Sequence, residues 1–177
     1  GKINENDIDI EALKSSEIIF LEGYLWDKGD PKKAFDKAIS NANKVAMSLS
    51  DKFCVDRHKS HFLDLVKNRL DIIFSNEEEI MSLIDTNNFD EVIQFAKENK
   101  KLFIITRGPK GALSINNGKI VEVQVKKNLN IIDLTGAGDL FAAGYLHGYL
   151  NQFTEKDCLE SGTEMASKII QQIGARL

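Results

Sequence analysis

The stretch Asp133-Leu134-Thr135-Gly136-Ala137-Gly138-Asp139 carries the residue types best suited to chemistry in this chain. Gly136 and Gly138 let a backbone turn tightly and approach a ligand closely. A helical pattern opens at Ala137, so the amides of Gly136, Ala137, Gly138 and Asp139 would project from a helix N-terminus. Such an end offers unpaired N–H groups and the positive pole of the helix dipole, a combination that suits an anion. Asp139 then admits two readings. It closes a glycine turn as a helix-stabilising charge, or it stands beside a bound phosphate as a base within reach of an attacking hydroxyl. The stretch is not a P-loop, because GxxxxGK(S/T) occurs nowhere, and it is not GxGxxG, because Phe141 occupies the third glycine's place.

Two other segments carry suitable groups. Asn76-Glu77-Glu78-Glu79 has Asn at a helix start with Glu three residues on, a variant of the capping box. In Thr106-Arg107-Gly108-Pro109-Lys110-Gly111, Thr106 offers a hydroxyl, while Gly108 and Gly111 permit close approach to a ligand; the same segment also fits a plain loop ahead of a hairpin. His58 and His61 lie three apart with Asp56 nearby. They are read as solvated or capping side chains rather than metal ligands.

The elements that must position these residues follow from hydrophobic pattern. Ile18–Leu21 reads as a strand. Pro31 to about Ser50 has helical spacing, with Ala34, Ala38, Ala42, Val45 and Leu49 on one face. Phe53-Cys54-Val55 is a second strand candidate, His58–Arg69 a short helix and Asp71–Phe74 a third strand. Helical patterns cover Glu77–Ile84 and Phe89–Asn99. Leu102–Thr106 is apolar without alternation, as in a strand buried on both faces. Ala112–Ile115, the turn at Asn116-Asn117-Gly118 and Ile120–Val125 make a hairpin. Helices over about Ala137–Leu150 and Thr154–Ile173 close the chain. Strands alternating with helices predict a mainly parallel α/β sheet with helices on both faces, and ligands in such sheets bind beyond the strands' carboxyl ends.

The chain's 177 residues suffice for one domain with a sizeable core. A formal charge of -4 argues against a nucleic-acid partner. Cys54 and Cys158 form no CxxC pattern and are expected as reduced thiols of a cytoplasmic protein. No apolar stretch is long enough to span a membrane, and the polar, acidic opening Gly1–Asp7 is unlike a signal peptide.

Thr135-Gly136-Ala137-Gly138-Asp139, preceded by Asp133 and continued by Phe141-Ala142-Ala143-Gly144-Tyr145, resembles the D-T-x-G-A-G-D signature of the ribokinase (PfkB-type) family of carbohydrate and nucleoside kinases. Leu134 stands where many members have Thr. The resemblance extends over a strand expected before the loop and a helix after it. Asn76–Glu79 looks like the family's N-x-x-E motif and Thr106–Gly111 like its T-x-G-x-x-G segment. Ser161–Ser167 and Gly174-Ala175 are similar to the family's C-terminal helix beside the adenine pocket. Leu21–Leu25 and Leu49–Val55 look like segments of adenosine-kinase-like bacterial members.

The resemblance implies a ribokinase-like three-layer α/β/α fold. It also implies transfer of the ATP γ-phosphate to the hydroxymethyl group of an adenosine-like nucleoside, with a ribose- or fructose-type sugar as the alternative substrate. Asp139 would be the catalytic base, and Gly136, Ala137 and Gly138 the anion hole. Asn76, Thr106, Gly108, Gly111 and Thr163 would contact the nucleotide. Glu79 would organise Mg²⁺, and Asp133 would lie near a monovalent cation in those members that use one. Small-residue helix packing is the other account of Thr163. Family members run to about twice this length, so residues 1–177 are expected to be the C-terminal nucleotide-binding part, lacking the N-terminal half and lid and open at a sheet edge to a partner such as a second copy. Two other classes stay open: a non-catalytic nucleotide-binding module, and a dinucleotide oxidoreductase, disfavoured by the lack of GxGxxG.

Overall fold

Continuous apolar runs become the strands of a six-stranded sheet in this computed structural model, which describes residues 3–27, 31–125 and 128–176. Ile19–Glu22 (β1), Val45–Ser48 (β2), Ile72–Asn76 (β3) and Leu102–Thr106 (β4) lie parallel in that order. Ala112–Asn116 (β5) and Lys119–Val123 (β6) extend the sheet antiparallel beyond β4. The hairpin closes through Asn117 and Gly118 at φ 48° and 83°, the left-handed pair that matches strand twist in a two-residue turn. In register, Phe74 lies beside Ile104 and Asn76 beside Thr106, so both polar strand ends reach the same edge.

The helices are Ile10–Ser15 (α1), Lys32–Asn41 (α2), Lys52–Asn68 (α3), Glu77–Leu83 (α4), Phe89–Asn99 (α5), Ala137–Leu150 (α6) and Glu155–Ile169 (α7). They make two outer layers. Phe35, Val55, Phe62, Ile80, Leu83 and Val92 from α2–α5 pack on Met47, Ile73, Phe103 and Ile105 of one sheet face. Phe141, Tyr145 and Leu159 from α6 and α7 pack on Ala46, Ile72, Phe74 and Ile104 of the other. Strands covered on both faces have no polar side, which explains the unbroken apolar run of β4. Each such large side chain, fully buried, contributes about 1.5–3 kcal/mol. Helices α6 and α7 touch nearly backbone to backbone: a Cβ on Gly144 would lie 2.7 Å from the Ser161 carbonyl oxygen, and one on Gly162 2.8 Å from that of Phe141. Cys54 and Cys158 are free and buried. Among the described residues no helix is long and apolar enough to cross a membrane.

The mainly parallel α/β/α arrangement agrees with the sequence pattern, and α5, β4 and α6 keep their expected limits. Other elements differ. The helical spacing over 31–50 covers two elements: α2 stops at Asn41, and Val45–Ser48 is β2. Asn43 makes the break by donating its side-chain amide to the carbonyls of Lys14 (3.0 Å) and Ser16 (2.8 Å). Phe53-Cys54-Val55 is helical, not a strand. Asp51 caps α3 by accepting the Cys54 amide at 2.6 Å, so the helix begins well before His58. Helix α7 ends at Ile169 rather than Ile173, and α1 was not foreseen. No strand precedes the glycine loop among the described residues: 128–134 is irregular, with Ile131, Ile132 and Leu134 exposed by 59%, 52% and 65%. Gly1 and Lys2 lie outside the described residues.

Candidate active-site cleft

The carboxyl ends of β2, β3 and β4 open into a cleft of about 1010 Å³. It is lined by the segment from Leu134 to Asp139 at the start of α6 and by the 106–110 loop.

Gly136 caps α6 at φ 78°, ψ 2°, with no side chain bonding the helix start. A Cβ there would also sit 2.8 Å from that of Ala175, so the position excludes larger residues on two grounds. The Ala137 amide donates to the Leu134 carbonyl at 3.2 Å. The Gly138 and Asp139 amides find no acceptor among the described residues, and a Cβ on Gly138 would meet nothing within 4 Å. Two free amides at a helix N-terminus, with open space before them, are suited to receive an anion. Asp133 shapes the approach. Its carboxylate accepts from the Thr135 amide (2.9 Å), the Thr135 hydroxyl (2.7 Å) and, across the chain, the Gly174 amide (3.0 Å). These bonds, the Thr135 hydroxyl first, hold its pKa below the ordinary carboxylate value. Asp139 is exposed and lines the cleft.

At the end of β3, Asn76 and Glu79 form a reciprocal capping box. The Glu79 amide donates to Asn76 Oδ1 at 2.8 Å, and the Glu79 carboxylate accepts the Asn76 backbone amide at 2.9 Å and its side-chain amide at 2.6 Å. Burial, opposed by that backbone hydrogen bond, pushes the Glu79 carboxyl up to about 7; the neighbouring acids Asp51, Glu78 and Glu22 add to the rise. Asn76 and Glu79 therefore reach the cleft together, with the helix-capping role built and both Glu79 oxygens engaged.

Thr106 and Gly108 line the cleft. Gly111 does not. At φ 94° its Cβ would come within 2.0 Å of the Val123 carbonyl oxygen, so this glycine lets the loop cross β6. Thr163 is also away from the cleft: it is buried, and its hydroxyl donates to the Leu159 carbonyl one helical turn back at 2.8 Å. Its burial and this bond are what helix packing requires.

Sequence reasoning missed groups around the cleft. Glu77 accepts from Arg107 Nε (3.0 Å) and Lys110 Nζ (3.2 Å), and Arg107 stacks 3.8 Å over the Phe89 ring. Arg107 first, then Lys110, holds the Glu77 carboxyl low. Around Tyr24 and Ser50, which line the cleft, acids converge. Burial and then the Asp139 carboxylate push Glu22 up, against a 3.3 Å hydrogen bond from Ser50. Burial, a hydrogen bond to Asp51 and the charges of Asp51, Glu79 and Asp139 push the Tyr24 hydroxyl up to about 12. Arg107 and Lys110 were legible as cations in a glycine loop. Glu22 and Asp51 come together only through the fold.

Comparisons agree with this geometry. Residues 2–177 match the model of the pfkB family carbohydrate kinases. The adenosine kinase of Sinorhizobium meliloti superposes with a TM-score of 0.95 at 34% identity, over 99% of this chain and 55% of that one. The adenosine kinase of Dictyostelium discoideum is 30% identical over 92% of this chain and 52% of its own length, and the cytidine kinase of Thermococcus kodakarensis is 31% identical over 62% and 40%. The chain thus spans about half the length of these relatives. Its three layers are the ribokinase-like fold, and the chain belongs to the pfkB family of carbohydrate kinases.

Proposed function

We propose that this chain carries the nucleotide-binding and proton-accepting part of an ATP-dependent kinase that phosphorylates the hydroxymethyl group of an adenosine-like nucleoside. The observation that carries this reading is the start of α6: Asp139 stands beside the unpartnered amides of Gly138 and Asp139 in one open cleft. In the reaction the substrate hydroxyl oxygen bonds to the γ-phosphorus, and the bond from that phosphorus to the β–γ bridging oxygen breaks. ADP leaves, and the hydroxyl proton passes to the Asp139 carboxylate. The Gly136–Gly138 backbone stabilises charge developing on the transferred phosphoryl group, the larger part of catalysis in phosphoryl transfer.

The cleft's polarity fits the two reactants. Arg107 and Lys110 supply positive charge for the nucleotide, beside Thr106 and Gly108. Asp139 supplies an acceptor for a sugar hydroxyl, and Glu77, Glu78 and Glu79 are the cleft's other acids. The acids also suit Mg²⁺, which would neutralise phosphate charge; Asn76 and Glu79 would hold it through water, since both Glu79 oxygens already accept hydrogen bonds. Similarity to adenosine kinases over nearly the whole chain favours a nucleoside over a free sugar. The remaining substrate contacts belong to the half of the relatives that this chain does not span.

The test uses the full-length protein. Asp139→Asn is expected to keep Mg·ADP binding while lowering turnover by at least about 10²; unchanged turnover would remove Asp139 as the base. Comparison of kcat/KM for adenosine, cytidine and ribose identifies the acceptor, and a preference for ribose would overturn the nucleoside assignment.

A further inference from the structure

The segments Leu21–Leu25 and Leu49–Val55 do not share one job in the cleft, yet the fold brings their continuations together. The 3-10 turn Gly23–Asp27 lies against α3, where Cys54 Sγ donates to the Gly23 carbonyl at 3.2 Å. Asp27 accepts from Arg57 Nε at 3.0 Å, and His58 Nε2 lies 2.8 Å from Asp27 Oδ1. His58 is half-buried and has a carboxylate partner. Its backbone leaves helical geometry, at φ -118° and ψ 18° in the middle of α3, and the ring packs on Phe62 while pointing at Asp27. Arg57 alone already balances the Asp27 charge. The helix break therefore brings a second nitrogen to a carboxylate that has its counter-ion.

We propose that Asp27, Cys54 and His58 form a binding site for a thiophilic divalent cation such as Zn²⁺, tying the Gly23–Asp27 turn to α3. One carboxylate oxygen, the thiol sulfur and one imidazole nitrogen lie within 4.8 Å of one another. Tetrahedral ligands on zinc sit about 3.6 Å apart, given bonds of about 2.0–2.3 Å, so the His58–Asp27 pair, now 2.8 Å apart, widens by about 1 Å while any pair near the 4.8 Å limit closes by about 1 Å. Oxygen, nitrogen and sulfur donors together select zinc-like ions over Mg²⁺, which takes oxygen ligands. Three protein ligands leave the fourth position to water.

On binding, the Cys54 S–H bond breaks, its proton goes to solvent and a sulfur–metal bond replaces the hydrogen bond to Gly23. The cation enters between His58 Nε2 and Asp27 Oδ1, displacing the Arg57 Nε hydrogen bond to Oδ1, while Arg57 Nη2 keeps Asp27 Oδ2. A bound cation would brace the wall of the active-site cleft, because Tyr24 follows Gly23 and Asp51 caps the helix that holds Cys54.

The experiment titrates chelator-treated, full-length protein with Zn²⁺ alone, in excess Mg²⁺ to satisfy the acidic cleft, and repeats the titration with Co²⁺. One Zn²⁺ per chain should bind with proton release, and Co²⁺ should give the near-ultraviolet thiolate charge-transfer band. Both His58→Ala and Cys54→Ser should weaken Zn²⁺ by at least about a hundredfold, the upper range for loss of even an outer-shell partner, and Cys158→Ser should change nothing. Since Cys54 is buried, circular dichroism must show that its variant folds; if it does not, His58→Ala and the cobalt band decide. No binding, a cobalt complex without the thiolate band, or unchanged affinity in His58→Ala would overturn the proposal.

Discussion

Helices α4 and α6 both start at the same cleft, and they start in opposite ways. The end of α4 is closed by its own side chains, with Asn76 and Glu79 exchanging backbone hydrogen bonds. The end of α6 has no side-chain cap, a left-handed glycine at the N-cap position, and amides with no acceptor among the described residues. A protein ordinarily satisfies helix ends, because each orphaned donor costs free energy once water is excluded. Where one end is finished and its neighbour is left open onto a cavity, the open end is the one we propose a ligand completes. The capped end holds a wall in place.

The largest test of that contrast is Gly136→Ala. A left-handed alanine costs about 1–2 kcal/mol, and its Cβ would meet Ala175 at 2.8 Å, adding overpacking of about 1–3 kcal/mol. Mg·ADP affinity, measured calorimetrically, should fall at least about a hundredfold as the α6 amides move out of line. Unchanged affinity in a folded variant would mean that α6 does not hold the phosphates.

Much of this was legible locally. Gly136 and Gly138 announce their turn by type, and Leu102–Thr106 announces a doubly buried strand by having no polar residue before its end. The failures share a cause: they occur where a hydrogen-bond partner outside the apolar run decides. Phe53-Cys54-Val55 reads as a strand until Asp51 caps the amide of Cys54. Ile131-Ile132 reads as a strand too, but the amides of Ile132 and Asp133 both bond the Ile170 carbonyl instead of a sheet neighbour. Asp27 meets His58 across a separation of 31 residues that no periodicity reveals.

At the capped end, pH is the probe. Glu79 titrates near 7 in the folded chain and near 4.5 when unfolded. An acid with a raised folded pKa keeps its proton better in the folded state, so stability falls as pH rises from about 4.5 to about 7 and the penalty is complete above that. The loss is at most about 3 kcal/mol. Glu79→Gln gives up one acceptor of the box and lowers the baseline, but it should abolish this slope in urea unfolding between about pH 5 and about pH 8. An identical slope in both proteins would place the titration elsewhere and leave Glu79 as an ordinary charged cap.

The smallest expected effect lies furthest from either helix start. Thr163→Val keeps the side chain's shape and removes one hydroxyl whose partner, the Leu159 carbonyl, already belongs to the α7 ladder. Loss of such a neutral hydrogen bond is worth about 1 kcal/mol or less. The melting temperature should therefore move by about 4 °C or less for a chain of this size, and Mg·ADP affinity should not move at all. A clear drop in affinity with the fold intact would mean that α7 rotates Thr163 toward the adenine when nucleotide binds. The nucleotide site would then extend from the open end of α6 onto the face of α7, and a helix that looks finished in its own hydrogen bonds would be part of the ligand's surroundings after all.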